Sequence, residues 1–190
     1  YDIFNHICEQ YFSGEDDNTS DYLAEAHAQC HRSQPQSRRR SDGLRSTLQS
    51  DVGRHLALNT LIAKGKSTDW MVHMLGQAVG ACTNATHGMT LSAVSLPYYR
   101  FIMKDGLPKF VRFAKAVWNV DADGMSDEKI AAAGLERMKT WMQDRPRATQ
   151  SKNSVRQKNA RRLVNGTLIL DGGYRVLTKD EIRDIFRQAM

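Results

Sequence analysis

Four side chains of types that bind metals stand at spacings able to bring them to one point. Asp2 and His6 are four residues apart in a stretch of helical periodicity, so they leave one helix face about a turn apart. His73 lies on a second helical stretch, and His87 follows 14 residues later, directly before Gly88 at the entrance to a third. One carboxylate with three imidazoles suits Fe²⁺ or Zn²⁺, because hard oxygen and neutral nitrogen donors match borderline divalent cations without a thiolate. Each piece alone has an ordinary alternative: a hydrogen-bonded core histidine for His73, an exposed helical pair for Asp2 and His6. His27, His31 and His55 carry no such spacing and are read as non-ligands.

The elements that must position these residues are helices. Ile3, Phe4, Ile7 and Tyr11 line one face of the stretch from Asp2 to Phe12, and Asp21 to Ala26 opens a second helix. Leu56 to Ala63 reads as a short apolar helix closed by Lys64-Gly65. Thr68 is placed to cap a helix through Val79, and Met89 to Ser95 forms another, with Pro97 marking a kink or boundary. Pro108 sits like a first-turn proline before Lys109 to Trp118. Ser126 precedes the acidic start of a helix running to Met142, and Thr178 to Glu181 has the T-x-x-E form of a capping box before a last helix. Only Thr167 to Leu170 resembles a strand. With no βαβ alternation the fold class is all-α.

The chain has 190 residues and a formal charge of +6, but the basic charge is not evenly spread. Cys30 to His55 carries +4 and Arg145 to Arg162 carries +7, so the remaining residues sum to −5. Both stretches are rich in Ser and Gln and lack periodicity. A nucleic-acid-binding module would need Arg38-Arg39-Arg40 and Arg161-Arg162 on one face, yet neither stretch contains the Phe, Tyr or Trp that stacks on bases. No apolar run approaches the roughly 18 residues a membrane span needs. Cys8, Cys30 and Cys82 are odd in number and lack CxxC spacing, which predicts free thiols and a reducing, cytoplasmic setting. A chain opening on Tyr1 without a basic leader reads as a piece of a longer protein.

The stretch Leu56-Ala57-Leu58-Asn59 to Gly65, then Asp69-Trp70, His73-Met74-Leu75-Gly76, Gly80, His87-Gly88-Met89-Thr90-Leu91 and Pro97, resembles the iron-containing (group III) alcohol dehydrogenase family. The branch of butanol dehydrogenases and NAD(P)H-dependent aldehyde reductases looks nearest. The resemblance covers about residues 1–26, 56–142 and 172–190, where Gly172-Gly173-Tyr174 to Ile182 is similar to the family's last loop and helix. It implies a metal held by Asp2, His6, His73 and His87, a nicotinamide cofactor, a small alcohol or aldehyde substrate and a homodimeric full-length enzyme. Gln77 departs from the family's pattern, which often has a histidine there for proton relay. Glutamine hydrogen-bonds but takes up no proton near neutral pH. Trp70 and Met74 are read as pocket lining or plain core.

The resemblance further implies two-domain members about twice this length, whose α/β half carries a Gly-rich phosphate loop. No glycine-rich strand-turn-helix occurs in these 190 residues, and Gly172-Gly173 reads as a turn. The expectation is therefore the helical, metal-binding C-terminal domain alone, inactive without its cofactor half. The two basic stretches, 30–55 and 145–162, fall where the family has ordinary helix. Plausible codons for Asp42 to Gly53, read one base late, give Met-Asp-Tyr-Glu-Ala-Arg-Ser-Asn-Leu-Met-Trp-Ala, an amphipathic helix leading into Leu56. A shifted reading frame or sequencing error across Cys30 to His55, and in part of Arg145 to Arg162, is thus an expectation that resequencing the gene tests. A metal-dependent hydrolase is a further reading of His/Asp sites on helices, without an extra Asp-His pair for a second metal.

Overall fold

The computed structural model describes residues 1–14, 19–33, 52–83, 85–144 and 160–189. The helices are α1 (Asp2–Tyr11), α2 (Thr19–Ser33), α3 (52–58), α4 (Met71–Cys82), α5 (His87–Ile102), α6 (Leu107–Ala116), α7 (Asp127–Gln143), α8 (Ala160–Gly166) and α9 (Lys179–Ala189), with a 3₁₀ turn at Leu61–Ala63. No strand occurs among the described residues, in agreement with the all-α expectation. None of the described helices is long and apolar enough to cross a membrane.

Helix α5 is the hub, packing against α1, α4, α7 and α9. Its apolar residues Leu91, Val94, Tyr98, Tyr99 and Ile102 are all buried. Beside it, α1, α6 and α7 close an aromatic core. Phe12 stacks on Phe110 with ring centroids 4.0 Å apart, Phe4 meets Trp141 at 4.8 Å, and Phe113 and Trp118 fill the space between them. Such pairs each add about 0.5–1.5 kcal/mol beyond their buried area. The effect is to fix α1, the helix that bears Asp2 and His6, from its inner face.

A second anchor of α1 is ionic. Asp21 of α2, wholly buried, pairs with Lys66 from the loop after the 3₁₀ turn and with Lys109 of α6, whose Nζ lies 2.6 Å from its Oδ2. Arg112 of α6 pairs with Glu25, which also accepts the Tyr11 hydroxyl hydrogen bond at 2.6 Å. Burial opposes ionisation of Asp21, but Lys109 and Lys66 outweigh it and hold its carboxyl below the usual range. The ammonium groups of Lys66 and Lys109 lie over the Tyr11 ring at 5.7 and 5.2 Å from its centroid.

Several boundaries differ from expectation. Helix α5 runs through Pro97 to Ile102 rather than ending near Ser95, because the turn beyond the proline buries Tyr98, Tyr99 and Ile102 in the core. Helix α4 starts at Met71, not after Thr68. Trp70 at its N-cap is left-handed, with φ 62°, which interrupts the turn, and Thr68 instead accepts a hydrogen bond from the Trp70 indole N–H at 2.8 Å. The apolar stretch Leu56 to Ala63 is divided between α3 and the 3₁₀ turn by Thr60, φ 69°. Residues 167–170 are irregular, since no strand among the described residues offers their backbone a ladder. The ends of the basic stretches are helical, at residues 30–33, 52–55 and 160–162, while 34–51 and 145–159 lie outside the described residues. The capping box holds as read: Thr178 Oγ1 accepts from the Glu181 N–H at 3.3 Å and Glu181 Oε2 from the Thr178 N–H at 2.8 Å.

Candidate metal centre

The helices bring the four spaced residues together. Asp2 and His6 project from the first two turns of α1, His73 from the first turn of α4 and His87 from the first residue of α5. One atom, Asp2 Oδ1, is the common point. His6 Nδ1 lies 3.3 Å from it, His87 Nε2 3.6 Å and His73 Nε2 3.7 Å. One donor atom from each of Asp2, His6 and His73 falls within 4.8 Å of every other. His87 reaches Asp2 but stands outside this trio, on the open side, with its side chain half exposed. His73 is nearly enclosed, so the cluster has a closed floor and an open rim.

Electrostatics and hydrogen bonding define which atoms are free. His6 Nδ1 lies 2.9 Å from the Asp2 backbone carbonyl, the contact a protonated Nδ1 makes, and this leaves Nε2 as its lone pair. Asp2 Oδ1 and His73 Nε2 are both buried without a hydrogen-bond partner, and at 3.7 Å they are too far apart to satisfy each other. Contacts from His6 and His73 hold the Asp2 carboxyl well below the usual carboxylate range. Burial lowers the His73 pKa, but Asp2 and Glu9 more than offset it and push it up to about 9.

This arrangement fits a divalent cation. Donor atoms around a tetrahedral ion with bonds of about 2.0–2.2 Å stand roughly 3.3–3.6 Å from one another, close to the 3.6 and 3.7 Å that separate His87 Nε2 and His73 Nε2 from Asp2 Oδ1. Buried polar atoms of a native protein ordinarily have partners; here two unpartnered ones converge from different helices.

Other readings resolve differently. Gln77 lies on α4 one turn beyond His73 and is exposed. Trp70 closes one side of the cluster, its ring edge-on to His6 at 5.6 Å and to His73 at 5.4 Å between centroids. His27, His31 and His55 are not in the cluster. Cys8, Cys30 and Cys82 are free thiols. Arg161 and Arg162 are exposed on α8, whereas Arg38, Arg39 and Arg40 lie outside the described residues.

Glu9 and Asp69 were not marked by spacing alone. Glu9 is wholly buried one turn beyond His6, with Oε2 against His73 Nδ1 and Oε1 accepting the His73 backbone N–H at 3.0 Å. Asp69 accepts hydrogen bonds from the Met71 N–H at 3.1 Å and from the Tyr98 hydroxyl at 2.6 Å, and burial pushes its pKa up to about 7. The glycine pair of the last loop presses on the same place. A Cβ at Gly172 would stand 2.1 Å from the Thr68 carbonyl oxygen, and Gly173 is left-handed against the Asp69 side chain.

Across residues 1–190 the sequence matches the model of the Fe-containing alcohol dehydrogenase family, C-terminal. The chain belongs to that family. Among curated relatives of this alcohol dehydrogenase family member, NADH-dependent butanol dehydrogenase B of Clostridium acetobutylicum is 25% identical over 100% of the chain and 50% of its own length. NADPH-dependent aldehyde reductase YqhD of Escherichia coli is 36% identical over 40% of the chain and 20% of its own length. The solved structure of NADH-dependent butanol dehydrogenase A from Thermotoga maritima superposes with a TM-score of 0.86 at 21% identity, covering 99% of this chain and 50% of that one. E. coli YqhD gives a TM-score of 0.88 at 22% identity, over 100% and 50%. The helical fold is thus that of half of each of these structures, and the chain spans about half the length of the curated relatives it matches along its whole length.

Proposed function

We propose that this chain is the metal-binding part of an oxidoreductase that interconverts primary alcohols and aldehydes with NAD(P)(H), and that Asp2, His6, His73 and His87 hold Fe²⁺ or Zn²⁺. The observation that carries the reading is the convergence of three imidazoles on one buried, unpartnered carboxylate oxygen. Membership of the iron-containing family and relatives named butanol dehydrogenase and aldehyde reductase support it. The nicotinamide is bound mainly by a domain outside these residues, and the full-length enzyme is a cytoplasmic homodimer.

A divalent cation in the cluster supplies Lewis acidity toward the oxygen of an alcohol or carbonyl. The protein residues do the rest. Asp2 contributes the negative charge that neutral histidines lack, and its depressed pKa keeps it ionised throughout the working pH range. His87 leaves the rim accessible to a small substrate, while the Trp70 ring walls one side and restricts water there. Gln77, without a titratable group, accepts or donates a hydrogen bond but relays no proton, so proton release runs through solvent at the open rim.

Elemental analysis of the purified protein tests the reading. Stoichiometric iron or zinc, lost in His87→Ala and Asp2→Ala, supports it; tight, salt-sensitive DNA binding by a metal-free protein would overturn it. Residues 1–190 alone bind metal but do not oxidise butanol with NADP⁺.

A further inference from the structure

Helix α1 carries three polar residues at i, i+4 and i+7, namely Asp2, His6 and Glu9, which therefore share one face. The first two belong to the candidate metal centre. The third is a carboxylate with no exposure to solvent, and among the described residues no lysine or arginine pairs with it. A buried carboxylate without a cationic partner is expensive by several kcal/mol, which sets Glu9 apart from Asp21 and Glu25. Its contacts all lead to the segment bearing His73. Oε1 accepts the His73 backbone N–H at 3.0 Å, Oε2 meets His73 Nδ1, and the Glu9 carbonyl accepts the Asp69 N–H at 3.1 Å.

We infer that Glu9 is a positioning residue that fixes the ring orientation and the tautomer of His73; the inference rests on the metal-centre reading above. An ionised carboxylate only accepts hydrogen bonds. With Oε1 on the backbone N–H, Oε2 can be satisfied at Nδ1 only if Nδ1 carries the proton. When the ring gives up its second proton, as a metal ligand must, the lone pair is then on Nε2, the atom that is buried, unpartnered and 3.7 Å from Asp2 Oδ1. The same carboxylate thus ties the start of α4 to α1 and aims one donor of the cluster. A carboxylate behind a metal-bound imidazole also raises its basicity.

Glu9→Gln tests this with almost no change of shape. Glutamine has one acceptor and one NH₂ where glutamate has two acceptors. With its oxygen on the His73 N–H, the amide donates to Nδ1 and drives the ring proton onto Nε2, which blocks that donor. Flipped, it sets two N–H groups against each other at the backbone.

Zinc alone, titrated into the full chain by competition with a chelating dye, is expected to bind Glu9→Gln about 10- to 100-fold more weakly than the parent, the range for removing such a partner. In the zinc-loaded parent, long-range ¹H–¹⁵N spectra should show His73 protonated at Nδ1. That measurement needs no variant, so it stands if Glu9→Gln does not fold. Zinc affinity of a folded Glu9→Gln within twofold of the parent, or a His73 protonated at Nε2 in the zinc-loaded parent, overturns the inference. His6→Ala and His87→Ala separate the two readings. If they bind zinc like the parent, the metal centre itself is wrong; if they lose zinc while Glu9→Gln keeps it, only the role of Glu9 fails.

Discussion

Two clusters of charged side chains meet on α1, and they are built on opposite terms. In one, Asp21 and Glu25 face Lys66, Lys109 and Arg112, so each carboxylate has an ammonium or guanidinium within reach. In the other, Asp2 faces only imidazoles, and two buried atoms, Asp2 Oδ1 and His73 Nε2, are left without partners. The first is closed on all sides; the second has an open rim at Asp2 and His87. What separates a structural ion network from a candidate binding site is therefore whether each carboxylate already faces a permanent cation.

The contrast can be broken most severely in the closed cluster. Lys109→Met takes from buried Asp21 the cation that donates to its Oδ2, and a loss of about 3–5 kcal/mol in denaturant stability is expected, with zinc stoichiometry unchanged in the folded fraction. His73→Ala acts in the reverse sense. Zinc affinity should fall by at least about 100-fold, equivalent to roughly 2.7 kcal/mol, while the metal-free melting curve moves much less. If the two variants gave the same pattern, the distinction between the clusters would be lost.

Asp69 sharpens the comparison through pH. Burial pushes its pKa up to about 7, against an unfolded value of about 3.9, so the folded chain holds a proton there that the unfolded chain releases. Its contribution is fully present below pH 4 and disappears as pH rises through 7. Between pH 6 and pH 8 the Asp69 share of the loss is about 1.4 kcal/mol, read as the difference between the parent and Asp69→Asn in chemical denaturation at the two pH values. Asp21 runs the other way: its depressed pKa gives stability above pH 4 that is lost on further acidification. The smallest effect belongs to a site outside both clusters. Thr178→Ala removes the capping box of α9 and should lower stability by about 1 kcal/mol without altering zinc binding.

The candidate cluster was legible in the sequence because its information is partly local. Asp2 and His6 share a helix face by spacing, and His73 and His87 open the helices that follow. The residues that satisfy or aim others were not legible. Glu9 lies 64 positions from His73, and Asp21 lies 88 from Lys109; no periodicity encodes a meeting across such distances. Helix type and class followed from apolar spacing and caps, but tertiary packing overrode the local signal at Pro97 and at Trp70. The short apolar run at residues 167–170 resembled a strand and lacks a neighbour to pair with among the described residues. The core of the basic stretches, 34–51 and 145–159, lies outside the described residues.

The close approach of Gly172 to the Thr68 carbonyl has a practical meaning for anyone redesigning this protein. One methyl group added at residue 172 has no room, so it must displace the segment Thr68-Asp69-Trp70 that precedes α4. Substrate range is usually altered by replacing residues that touch the pocket. Here the last loop offers a remote handle: alanine at 172 already has to move Thr68 to Trp70, and with them the start of the helix that bears His73, without any change to the four candidate ligands themselves.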